Sequence, residues 1–587
     1  MVIEKVASAL AVLAHGALAA APPNIVLMVI DDVGHADLSM NGGDFPTPHL
    51  DALAATGVNM RRMYVQPVCS PTRSALMTGR YPFRTGLQHY TTLLPGGTAK
   101  LPLAPHQTLA ELMAGAGYST AAIGKWHLGY SKWAYTPTGR GFDSHVGYLQ
   151  GQTDYYNKTL GGAKLQPLGF DFWHNQTRAP DDGSYTMRSY ASEAERLAAE
   201  VWTAPGAKPF FLYYAQQEAH VPLERPPADE PEHLAHCAKV TSFPERQTLC
   251  MMMSALDAEV GRFVADLTAR GLWENTLLWV VTDNGGMTDF RGDFTFPASA
   301  SSNWPLRGGK TTLFEGGVRG VSFVNGGYLP AAARGTESHE LMHVADIPVT
   351  LAARAGAGRL AEEATAGLDG VDMWPTLTAG ATGARTEVPV NINPECRACQ
   401  AVNKTLHGID YSALIQRSAD GAHDWKLVSG FVGQYDGCVP PGCSSPRLMR
   451  VCCPLAFLPR SPLRSPFSLS IRALCFNFYL HCIQVLDERG PGVYRQAAAR
   501  QRHGARIHGL AALRPRERRA RGERRGGGAP GSREGDGGPR RVPRRRSARL
   551  QVAAAQHPGR RPHRQEGGSG PRQQLHLGAV PEVVVMG

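Results

Sequence analysis

Three unbroken apolar runs constrain this chain more than any other feature. They are Asn24–Ile30, 210–214 and 277–282, and none alternates with polar residues. A strand that reads this way has both faces covered, as in a buried parallel sheet. Each run also leads into chemistry. Asp31-Asp32 follow the first, His220 lies just beyond the second, and Asp283-Asn284 follow the third. Open α/β sheets bind ligands outside the C-terminal ends of their strands. Between the runs, residues 106–117 and 251–270 show helical spacing of apolar side chains, and each stretch ends near a glycine. Strands alternating with helices predict a mostly parallel sheet covered on both faces, over about residues 22–375.

Further clusters are interleaved with these runs. Cys69-Ser70-Pro71-Thr72-Arg73 is followed by Leu76-Met77-Thr78-Gly79-Arg80. Gly124-Lys125-Trp126-His127-Leu128-Gly129 follows a short apolar segment. Lys310 ends the Gly-rich loop Arg307-Gly308-Gly309-Lys310. Singly, each has an ordinary reading. Asp283-Asn284-Gly285-Gly286 is a good turn, a lone histidine is more often structural than catalytic, and a lone cysteine is a buried thiol or half-cystine. Jointly and in this order they resemble the type I sulfatases, whose signature is Cys-x-Pro-x-Arg. The wording is nearest to the arylsulfatase B group, the N-acetylgalactosamine-4-sulfatases. Supporting stretches are Thr85-Gly86-Leu87-Gln88-His89, Arg140-Gly141-Phe142-Asp143, Asn303-Trp304-Pro305-Leu306-Arg307 and Glu315-Gly316-Gly317-Val318-Arg319-Gly320. The resemblance spans roughly residues 22–445.

The resemblance implies an alkaline-phosphatase-like α/β fold and hydrolysis of sulfate esters, aryl or carbohydrate. It implies that Cys69 is oxidised to formylglycine by a formylglycine-generating enzyme, and that the aldehyde hydrate is the nucleophile. Asp31, Asp32, Asp283 and Asn284, with the modified Cys69, would ligate one Ca²⁺. Those are hard oxygen donors of the kind that cation takes. Arg73 and Lys125 would hold the hydrate and a sulfate oxygen. Lys310 and His220 would face the leaving group, one of them as general acid. His127 would take the proton of the second hydroxyl so that sulfate is eliminated and the aldehyde returns. Phosphate or phosphonate monoester hydrolysis is the alternative within the same superfamily. A non-catalytic polyanion binder is the alternative from another class.

The remaining expectations concern compartment and boundaries. Residues 1–21 read as a secretory signal, with Lys5, an apolar stretch from Val6 to Ala14 and small residues at Ala17, Ala19 and Ala21. The sequons at Asn157, Asn175 and Asn403 fit an extracellular or lysosome-like glycoprotein. Of 11 cysteines, Cys237 and Cys250 frame a loop that a disulfide can close. Cys396, Cys399, Cys438 and Cys443 read as two disulfides or as a zinc site. The +11 net charge is uneven: residues 489–587 hold 23 arginines and six acidic residues, so the rest of the chain is slightly acidic. No lysine follows Lys426. Residues 376–445 read as a partial C-terminal antiparallel subdomain. Residues 446–587 read as a disordered basic tail, or as translation of non-coding or out-of-frame sequence. The apolar stretch 473–486 is too short and too polar to span a membrane, and no nucleic-acid partner is expected.

Overall fold

The computed structural model describes residues 21–88, 97–103, 106–160, 169–180, 182–227, 231–240, 243–288, 299–357, 367–394, 411–418, 421, 424–430 and 583–584. The expectations for the leader, for Asn403, for the four later cysteines and for all of the tail except 583–584 lie outside these residues.

Eleven strands form the large sheet. In chain order they are β1 (Asn24–Ile30), β2 (Val58–Tyr64), β3 (Ser119–Gly124), β4 (Ser144–Gly147), β5 (Trp173–His174), β6 (Thr177–Arg178), β7 (Phe210–Ala215), β8 (Thr276–Thr282), β9 (Arg319–Asn325), β10 (Thr336–Ser338) and β11 (Met342–His343). Their spatial order is β10-β2-β9-β8-β1-β7-β3-β4-β5-β6, with β11 also on β2. The centre, β8-β1-β7-β3-β4, is parallel throughout. β9 is antiparallel to both its neighbours.

The unbroken apolar runs are explained by burial on both faces. Val26, Met28 and Ile30 of β1 join one core, while Ile25, Leu27 and Val29 join the other. β7 and β8 divide in the same way. The first core is closed by the Thr186–Leu197 and Pro244–Ala269 helices. The second is closed by the Cys69–Thr78, Leu109–Gly115 and Asp346–Arg354 helices.

Both predicted helices form, with different bounds. The first starts at Leu109 because Thr108 and Glu111 make a capping box there. The second begins seven residues earlier than predicted, at Pro244, a residue that suits the first helical turn. Cys250 lies on that helix and is disulfide-bonded to Cys237, with Cα atoms 5.6 Å apart.

A small antiparallel sheet follows: β12 (Glu387–Asn391), β13 (Tyr411–Arg417) and β14 (Asp424–Gly430). The strand predicted at 424–430 is present. Val583–Val584 pairs with Lys426 and Leu427 on its outer edge, a pairing that the reading of 446–587 as a disordered tail does not anticipate. The inner face of this sheet packs Val388, Val390, Tyr411, Ala413, Ile415 and Val428 onto Tyr64, Leu313, Val318 and Leu341 of the larger body. Among the described residues, no helix is long and apolar enough to cross a membrane.

Candidate active site

The site forms because the central strands end level. β1 and β8 run in register from Asn24↔Thr276 to Ile30↔Thr282, and Ala215 of β7 lies beside both Val29 and Gly124. The residues that follow these strands therefore converge. Asp31, Asp32, Cys69, Arg73, Lys125, His127, His220, Asp283, Asn284 and Lys310 are all buried, and the contacts below link them into one cluster. All ten positions predicted from sequence are brought together.

Three cations meet three carboxylates. Arg73 donates to Asp283 Oδ2 from Nη2 at 2.8 Å and from Nε at 3.0 Å, and its Nη2 lies 3.4 Å from Asp31 Oδ2. Lys125 Nζ is 2.5 Å from Asp31 Oδ2. Lys310 Nζ is 2.6 Å from Asp32 Oδ1 and 2.7 Å from Oδ2. Burial and the neighbouring Asp31 charge push the Asp283 carboxyl up. Burial also acts on Asp32, but the Lys310 charge opposes it and that carboxyl stays below the usual range.

His220 has a defined tautomer. Its Nδ1 is 2.7 Å from the Val221 carbonyl, an acceptor only, so Nδ1 carries the proton. Nε2 is then free to accept from Lys310 Nζ at 3.1 Å. Burial and the adjacent Lys310 charge hold this imidazole well below its ordinary pKa.

Cys69 opens the Cys69–Thr78 helix, so it sits at the positive end of the helix dipole. Its Sγ is 3.2 Å from His127 Nδ1. His127 has a left-handed backbone, φ 53°. The ring lies against Gly151, where a Cβ would come within 2.8 Å of Cε1 and Nε2. Burial raises the thiol pKa, with Lys125 and Lys310 opposing. A thiol raised in this way is a poor nucleophile in its own right.

The residues fit a hard cation. Asp31 Oδ1 and Asn284 Oδ1 are buried without a hydrogen-bond partner. Asn284 uses its amide nitrogen on Asp32 Oδ1 at 2.7 Å, which leaves its oxygen available. Asp31, Asp32 and His220 form a cluster compact enough to hold a metal ion. Unpaired buried oxygens carry a desolvation cost that a cation relieves.

Several supporting residues were not singled out from the sequence. Tyr213 OH accepts from Arg73 at 3.2 Å, and Thr72 Oγ1 donates to the Asp283 carbonyl at 2.5 Å. Thr72 carries a sequence signal, since it lies within the Cys-x-Pro-x-Arg stretch. Asn303, which opens one of the stretches quoted for the resemblance, pairs with both the amide and the carbonyl of Gly286, fixing the turn after Asn284. Arg140, quoted for the resemblance, is structural: it binds Glu111 and the carbonyls of Leu101, Pro102 and His106.

The sulfatase family model matches residues 23–357. This chain belongs to the sulfatase family. It is 35% identical over 429 residues to mouse arylsulfatase J, covering 73% of this chain and 67% of that one. It is 34% identical to human arylsulfatase A, covering 63% and 70%. Among solved structures, Ps i-CgsB in complex with k-i-k-neocarrahexaose superposes with a TM-score of 0.58 at 28% identity, over 70% of this chain and 85% of that one. This sulfatase is a sulfuric ester hydrolase. Mouse N-acetylgalactosamine-6-sulfatase, at 31% identity, is also similar, so the 4-sulfatase subgroup is not singled out.

Proposed function

We propose that the protein hydrolyses sulfate esters of carbohydrates through a formylglycine hydrate made from Cys69. The observation that carries this reading is the setting of Cys69. It is a buried, unpaired cysteine at a helix N-terminus, within reach of His127 and among Lys125, Lys310 and Arg73. A sulfate group needs its oxygens neutralised, and these cations can do so. A Ca²⁺ held by Asp31, Asp32, Asp283 and Asn284 would supply further positive charge to a sulfate oxygen.

Arg73 and Lys125 orient the nucleophile. Arg73 in turn is fixed by Asp283, Tyr213 and the Lys125 carbonyl. Lys310 and His220 face the departing alcohol. Because His220 Nε2 accepts from Lys310, the proton for the leaving group starts on Lys310 Nζ. His127, on the Cys69 side, takes the proton of the second hydroxyl and drives sulfate elimination. We further propose maturation by a formylglycine-generating enzyme and passage through the secretory pathway. Asn157 is exposed, as a glycosylated residue must be.

The test is turnover of 4-nitrophenyl sulfate against 4-nitrophenyl phosphate. Sulfate should be the better substrate. His127→Ala should accumulate a sulfated enzyme, and His220→Ala should lose most on esters with poor leaving groups. Preference for phosphate, or identical behaviour of the two histidine variants, would contradict the assignment.

A further inference from the structure

We propose that a pocket beside the His127 loop is a carbohydrate subsite. It would hold a second pyranose ring of a sulfated oligosaccharide whose sulfated ring occupies the active centre. This inference rests on the sulfate-ester reading above and names the part of the substrate that reading leaves open.

The pocket has a volume of about 390 Å³ and is lined by residues 130–133, 149–150, 160, 169–171 and 173. That size suits a small ligand. It is continuous with the catalytic loop. Trp126 and His127 donate their backbone N–H groups to Tyr148 O at 3.0 Å and Leu149 O at 3.2 Å. Leu149 and Gln150 then form one pocket wall. Tyr130, Lys132 and Trp133, three to six residues after His127, form another.

The pocket is held by a buried carboxylate. Asp171 accepts from Leu149 N, from Gln150 N at 2.9 Å and from Trp173 Nε1 at 2.7 Å. The last bond fixes the Trp173 indole. Trp133 meets that indole edge-on, with ring centroids 5.4 Å apart and planes at 75°. Trp133 nevertheless remains 43% exposed. Here a rigid partner holds an indole against solvent.

An exposed indole on a fixed mount suits a sugar ring. A pyranose presents a flat face of C–H bonds and an edge of hydroxyls. The face gains dispersion contacts over the indole. The edge needs hydrogen bonds, and Gln150 Oε1 borders the pocket buried and without a partner. A modest side-chain rotation would let it accept from a sugar hydroxyl. Exposed Lys132 adds a positive charge at the wall, which suits a second sulfate or a carboxylate on that sugar.

The experiment uses full-length Cys69→Ala protein, which cannot turn over. Binding is measured for a sulfated monosaccharide and for sulfated hexasaccharides from chondroitin sulfate and from carrageenan. At least one hexasaccharide should bind more tightly than the monosaccharide. Adding Trp133→Ala should raise its Kd by about tenfold, the loss of one aromatic contact. The monosaccharide Kd should shift by less than about twofold, and Trp133→Phe should restore most of the loss. Equal weakening for both ligands, or no weakening for either, would overturn the subsite. So would hexasaccharides that bind no better than the monosaccharide. Trp133-dependent hexasaccharide binding by a wild-type protein that hydrolyses no sulfate ester would instead overturn the sulfatase reading and leave the subsite standing.

Discussion

The rim of the large sheet and the small antiparallel sheet both bury charge, but they hold it differently. At the rim, three carboxylates and three cations from segments up to 278 residues apart are cross-linked by many short contacts. Parallel strands in register fix the backbone beneath them. The small sheet relies on fewer contacts. Lys426 Nζ reaches buried Glu315 at 2.8 Å, and Tyr64 OH donates to the same carboxylate at 3.1 Å. Tyr411 OH donates to the Thr311 carbonyl at 2.8 Å, next to Lys310. Thr311 N donates in turn to the Pro67 carbonyl, two residues before Cys69. The small sheet thus braces the loop that carries Lys310. Its outer face leaves Leu427 42% exposed. Chemistry is concentrated where the scaffold is redundant, while the small sheet is joined to the body by its apolar face and a few ion pairs, of which Lys426–Glu315 is buried.

Variants separate these two regions. The largest effect belongs to the nucleophile. Cys69→Ala should lower kcat at least about a thousandfold without changing the thermal midpoint, and Cys69→Ser should stop at a sulfated enzyme. Sustained turnover by Cys69→Ala would break the rim account.

Next comes the metal. Asp31→Asn or Asp283→Asn should cut both bound cation and activity, by about a hundredfold in kcat/KM. Elemental analysis alongside kinetics checks this. An active, chelator-treated protein with no bound divalent ion would refute it. Three carboxylates so close are costly without positive charge, although Arg73, Lys125 and Lys310 share that task.

The small sheet should respond in stability. Lys426→Ala leaves Glu315 buried without its main partner and should cost about 3 kcal/mol in urea unfolding. A second consequence is a lower kcat from a loosened Lys310 loop. If Lys426→Ala kept wild-type stability, the Lys426–Glu315 pair would not anchor the small sheet. On the outer face of the same sheet, Leu427→Thr should stay within about 0.5 kcal/mol of wild type.

Much of this was legible in the sequence, for physical reasons. Continuous apolar runs require two covered faces, and residues 24–30, 210–214 and 277–282 are strands with a core on each side. Strand ends in such sheets collect ligands, so Asp31-Asp32 and Asp283-Asn284 could be read as a site. The supporting contacts were not legible, because they depend on tertiary approach. Nothing around Tyr213 announces that its hydroxyl meets Arg73, 140 residues away. Lys426 looks like an ordinary strand lysine until Glu315 is found opposite. The start of the Pro244–Ala269 helix was missed because its first turns lack apolar spacing, while Pro244 itself was a usable signal.

The central claim is that Cys69 acts as an aldehyde and not as a thiol. Protein from a host with the maturation enzyme should be digested with trypsin and the peptide spanning Cys69 weighed. Replacing CH₂–SH by an aldehyde lowers the mass by about 18 Da, and the modified fraction should rise in proportion to sulfatase activity across preparations. Fully active protein whose Cys69 peptide keeps its unmodified mass would contradict the account.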